Sequence, residues 1–101
     1  MIMRVWRGYT SHENADAYER LLRTEILPGI HRVSGYSGAW LLRRNKAEEV
    51  EFMTITMWDS WEAIEEFAGQ GHTSAVVPDD ARKLLSRFDE HSEHYDAVWV
   101  P

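Results

Sequence analysis

The 101 residues predict an α+β fold of order β-α-β-β-α-β, with an extra short helix before the last strand. Three observations predict it. Runs rich in β-branched and aromatic residues fall at 2–9, 35–44, 50–58 and 90–100. Apolar residues recur at helical spacing between the first and second runs and again after the third. Pro78-Asp79-Asp80 suits the start of a further short helix, with proline in its first turn.

The first run places Arg4 and Arg7 on opposite faces, so at least one points inward or lies near a sheet end. A helix follows to about Leu27, with Ala15, Tyr18, Leu21, Leu22 and Ile26 as its apolar face. Asp16–Arg20 and Glu19–Arg23 are i,i+4 pairs of favourable orientation. Pro28-Gly29 ends this helix, since proline disfavours helical geometry just before it. The second strand opens at Gly35 and puts Tyr36, Gly38, Trp40 and Leu42 on one face. Residues 45–49 read as a polar hairpin loop.

The third strand, 50–58, is apolar on both faces apart from Glu51, so both faces are expected to be covered. It runs straight into a helix. Asp59 stands at the cap position with Glu62 three residues on, and Trp61, Ile64, Phe67 and Ala68 form the apolar stripe. Gly69-Gln-Gly71 breaks the chain. Ala81, Leu84, Leu85 and Phe88 supply the apolar side of the short helix, and residues 90–100 form the last strand. This order is ferredoxin-like, with helices on one face of a four-stranded sheet. The strands are apolar on both sides, so a second sheet is expected on the open face, supplied by a copy of the same chain. A homodimer is the expected state.

Composition sets further bounds. A chain of this length fits one domain, 1–101. Hydrophobic residues make up 44%, which fits a packed core rather than disorder. No run approaches the roughly 20 apolar residues of a membrane span, and the first residues lack the order of a signal peptide. Absence of cysteine excludes disulfides, thiolate metal sites and a cysteine nucleophile. A cytoplasmic location is expected. The net charge of −6 disfavours nucleic acid as a partner. No carboxylate cluster has metal-ligand spacing.

Together, the element order, the length, Gly35-Tyr36 opening strand two, and Thr54-Ile-Thr-Met-Trp58 followed by Asp59-Ser60 and an amphipathic helix resemble the antibiotic biosynthesis monooxygenase family. That family belongs to the dimeric α/β-barrel superfamily. The closing stretch from Leu84 to Asp89, with His94-Tyr95, adds to the likeness. The resemblance implies a pocket between the sheet and the helices. It also implies oxidation of a small aromatic or polyphenolic metabolite by molecular oxygen, with no metal, flavin or haem. The substrate anion reduces oxygen itself, and the protein supplies binding, a proton acceptor and stabilisation of negative charge.

Trp58 then stands at the family's pocket tryptophan. Thr54 stands where the quinone-forming enzymes carry asparagine, and offers one hydrogen bond in place of an amide's two-sided recognition. The expected substrate-binding residues are Trp58, Thr54, Tyr95, Trp61 and Phe67. The expected acid–base or anion-stabilising residues are His94, His72 and Arg7. A haem-degrading branch of the family is the alternative that would bring in haem as cofactor. It uses the same tryptophan, a first-strand asparagine where this chain offers Arg7, and a histidine in the region of His72. A non-catalytic dimer that binds small molecules is the third reading.

Overall fold

A single antiparallel sheet of five strands is formed by the residues that the computed structural model describes, 1–69 and 74–101. The strands are β1 (Ile2–Thr10), β2 (Tyr36–Asn45), β3 (Val50–Trp58), β4 (Leu85–Phe88) and β5 (Glu93–Asp96). Their order is β2-β3-β1-β4, and β5 continues along the same edge of β1 as β4. This is the expected ferredoxin-like sheet, with its fourth strand in two pieces. The last strand therefore starts earlier than residue 90. Leu85 and Phe88 satisfy helical spacing after Ala81, yet they pair with Thr10 and Gly8. Pairing satisfies the edge of β1, and this wins over helix propensity. The short helix, α4 (Asp79–Leu84), ends accordingly at Leu84, and Val98 to Val100 lie outside any strand.

The first helical stretch runs past its expected end. It comprises α1 (Ala15–Leu21), a wide turn of π-helix (Leu22–Ile26) and α2 (Leu27–Ile30). In the π turn the Leu27 N–H donates to the Leu22 carbonyl, five residues back. Such a turn opens the backbone by one residue. Pro28 can then follow without driving its ring into the carbonyl four residues earlier. Of the two ion pairs expected here, Glu19–Arg23 forms at 3.4 Å, whereas Asp16 accepts from Arg43 at 2.8 Å.

Two further expectations are corrected. The cap of α3 (Trp61–Ala68) is Ser60, whose Oγ accepts from the Ala63 N–H at 3.2 Å. Asp59 instead accepts from the Ser37 hydroxyl at 2.6 Å, and its N–H donates to the Gly35 carbonyl. It is thus spent on tying β3 to the start of β2. That start carries a bulge, because Tyr36 pairs with Trp58 but Gly38 pairs with Met57. The extra residue, Ser37, turns Tyr36 to the helix side, away from the face of Gly38, Trp40 and Leu42.

Gly35 holds φ at +87°, and a Cβ there would collide with the Ala63 Cβ of α3. Gly35→Ala is therefore expected to cost about 2 kcal/mol or more, from left-handed backbone strain plus overpacking. Urea unfolding checks this, and an unchanged midpoint would refute the packing described.

The helix-side face of the sheet carries Ile2, Arg4 and Trp6 from β1 and Phe52, Thr54, Thr56 and Trp58 from β3. Two buried clusters sit on it. One gathers Ala15, Tyr18, Leu22, Val50, Phe52 and Ala81. The other gathers Ile2, Trp58, Ala63 and Ile64. The opposite face carries Met3, Val5, Met53, Ile55, Trp40 and Leu42, with Tyr95 beside Met3. Trp40, Leu42 and Tyr95 are exposed on this face, while Val5 and Met57 are buried.

Candidate functional site

A cavity of about 70 Å³ lies between the sheet and the helices. Sheet residues Arg4, Trp6, Thr54 and Thr56 make its floor. Tyr18, Leu22, Ile26 and Ile30 form one wall, so the π turn and the helical segments on either side of it face the cavity. Phe67 of α3 and Val76 to Pro78 with Ala81 close the other sides, and Ser92 joins from the break in the fourth strand.

Among these described wall residues Arg4 is the one with a formal charge. It is only 5% exposed. Alternation along β1 puts it on the helix side. Its Nη1 donates to His94 Nε2 at 3.0 Å and its Nη2 to the Ser74 carbonyl at 2.8 Å. The guanidinium also lies 5.8 Å from the centre of the Phe67 ring. Burial pushes Arg4 down from its ordinary value to about 10, so it remains charged at neutral pH.

A guanidinium can only donate, so His94 Nε2 accepts this bond and helps to position Arg4. His94 sits between the guanidinium and α3. It is backed by Trp61, whose ring centre lies 5.0 Å away.

Trp58 is fully buried. Its indole N–H donates to Thr56 Oγ1 at 2.8 Å, and its ring stacks on Phe67 at 5.1 Å and meets Tyr36 edge-on at 5.8 Å. It buttresses two cavity residues, Thr56 and Phe67, from behind. Trp6 lines the cavity and donates its indole N–H to the Asp89 carbonyl at 2.6 Å. Burial also pushes the Tyr18 phenol well above its ordinary value, which keeps it neutral.

The expected site residues thus divide. Thr54 and Phe67 line the cavity, Trp58 supports it, and His94 and Trp61 hold Arg4 from its outer side. Arg7 lies on the opposite face of the sheet and pairs with Glu93 at 2.9 Å. Tyr95 adjoins His94 in sequence, so it points to that opposite face too, paired with Met3. His72 lies outside the described residues. Arg4, Trp6, Thr56 and Ser92 line the cavity without having been expected as site residues. For Arg4 a signal existed, since the alternation of β1 requires one of its two arginines to point inward.

Haem would need an axial ligand in this cavity. Among the described residues no histidine lines the cavity, and the Nε2 of His94 is turned to Arg4. The described residues thus place no haem ligand in the cavity, and His72, the expected one, lies outside them. They also include no set of three metal-ligating side chains.

No family model matches the chain, and no curated protein sequence matches it. Solved structures do share its fold. A candidate antibiotic biosynthesis monooxygenase from Deinococcus radiodurans is 18% identical with a TM-score of 0.72, over 100% of this chain and 96% of that one. SnoaB, a cofactor-independent oxygenase from Streptomyces nogalater, is 20% identical with a TM-score of 0.66, over 98% and 94%. MhuD, a heme-degrader from Mycobacterium tuberculosis solved with two hemes in its active site, is 19% identical with a TM-score of 0.62, over 100% and 99%. The chain therefore has the ferredoxin-like fold of the antibiotic biosynthesis monooxygenases.

Proposed function

We propose that residues 1–101 form a single domain that oxidises a small aromatic or polyphenolic metabolite with molecular oxygen and no cofactor. In this reading the protein works as a cytoplasmic homodimer. The observation that carries it is a cavity between sheet and helices, lined mainly by apolar and aromatic side chains, with one buried charge, Arg4. SnoaB, of the same fold, is a cofactor-independent oxygenase, which supports the same reading.

The chemistry asks little of the protein. An acidic C–H or O–H of the substrate ionises, and the resulting carbanion or phenolate gives electrons to oxygen. A C–O bond forms and the O–O bond breaks. A ring methylene and O2 thus become a carbonyl and water, with both hydrogens leaving in the water. Arg4 holds the negative charge and favours the ionised substrate, which lessens the need for a side-chain base. Thr54 and Thr56 offer hydroxyls on the cavity floor.

Oxygen uptake with 1,8-dihydroxyanthrone tests this. Uptake should depend on protein, consume one O2 per substrate and persist with a chelator present. A rate no faster than spontaneous oxidation would refute turnover and leave the binding dimer as the reading. In the same preparation haemin should give no saturable Soret band. A stoichiometric band that bleaches with ascorbate in air would replace the proposal with haem degradation.

A further inference from the structure

The cavity does not end at its own walls. An outer groove of about 390 Å³ adjoins it, and the two share Ile26, Ile30, Phe67, Val76 and Pro78. The inner chamber, at about 70 Å³, has room for a small head group and not for a ring system. The groove has room for rings and is walled by apolar side chains. The charges along this path differ in sign. Arg4 stands at the inner end, while the exposed carboxylates Glu25 and Asp80 stand on the groove.

We infer that the two chambers together take a planar apolar mono-acid, inserted acid first, with its carboxylate or ionised phenol at Arg4 and its rings along Phe67, Ile26 and Val76. The inference rests on the reading of this cavity as the ligand site, and names the ligand's charge and direction of entry. A guanidinium buried beside a mainly apolar chamber favours an anion over a neutral group of the same shape. Carboxylates on the groove disfavour a second anionic group at the far end. The ligand is thus charged at one end only.

Calorimetric titration of the full chain with three probes tests this. They are 2-naphthoate, its neutral isostere 2-naphthamide, and 2,6-naphthalenedicarboxylate. Naphthoate should bind at least about tenfold more tightly than the amide, and the dicarboxylate more weakly than naphthoate. Arg4→Met, checked for folding by circular dichroism, should erase the preference for naphthoate over the amide. Arg4→Lys should retain part of it. If Arg4→Met does not fold, the wild-type ratio decides alone. An amide that binds as well as naphthoate, or a dicarboxylate that binds as tightly, overturns the inference while the site itself stands. If none of the three binds but the anthrone is turned over, the inference also falls and the proposed function remains. If none binds and nothing is turned over, both fall.

Discussion

Trp58→Ala is expected to cost about 3–5 kcal/mol, a large part of the roughly 5–15 kcal/mol that holds a domain of this size folded. Three losses add up at this position. The side chain is fully buried, so its deletion leaves a void between Tyr36 and Phe67. The stacking on Phe67 and the edge contact with Tyr36 disappear with it. Thr56, itself 5% exposed, loses the partner of its hydroxyl. For a chain of about this length the melting temperature should fall by about 12 °C or more. Trp58→Phe should recover much of the loss, because it restores the ring and forfeits only the indole N–H. Thermal and urea unfolding followed by circular dichroism give the number. A cost below about 1 kcal/mol would show that Trp58 is not the buttress described.

The second large effect concerns assembly. Wild-type protein should sediment at twice the chain mass, and Ile55→Glu should raise the dimer dissociation constant by at least about 100-fold. Ile55 lies in the middle of the open face, between Val5 on β1 and Trp40 on β2. Trp40 is 45% exposed, Leu42 48% and Tyr95 54%, in the one chain described. A contiguous apolar area of this kind is rare on a monomer. A second copy covers it most simply, because a two-fold axis matches one face with itself. A carboxylate at the centre of such an interface would be stripped of water without a partner. The fold of the monomer should survive, because Ile55 faces away from both buried clusters. A monomeric wild type at high concentration would end the homodimer proposal. A dimeric Ile55→Glu would move the interface to another surface.

Much of the fold was legible because β3 is legible. Its bounds, 50–58, follow from composition alone and recur in the structure. Regular alternation sorts its residues between the two faces, so Thr54 and Trp58 could be placed on one side. Where alternation is broken, the reading failed for the same physical reason. A bulge at Ser37 shifts the phase of β2, and only pairing with β3 reveals it. The split of the fourth strand is equally non-local, since β4 and β5 exist by pairing with β1.

The site was legible in outline. The family resemblance implied a pocket between sheet and helices, and Thr54 and Phe67 fall on its walls, whereas Trp58 lies behind them instead of on the wall. Arg4 could not be chosen over Arg7 without the register, because both are arginines on a half-apolar strand. Tyr95 illustrates the converse. Its neighbour in sequence, His94, reaches Arg4, yet the period of two that places one on the helix side excludes the other.

The wide turn at Leu22–Ile26 governs which side chains of this stretch face the cavity, by backbone arithmetic. One residue more than an α-turn is wound into it, so the segments before and after it act as two screws joined out of phase. Each residue advances an α-helix by about 100°. Removing one residue would restore the regular ladder, yet it would swing Leu27 and Ile30 off the cavity wall by that angle and set Pro28 against the preceding carbonyl. The room available to a ligand is thus fixed by a count of peptide units as much as by the size of any side chain. Substitutions at Leu22 or Ile26 can trim that room, but only a change in chain length can relocate it.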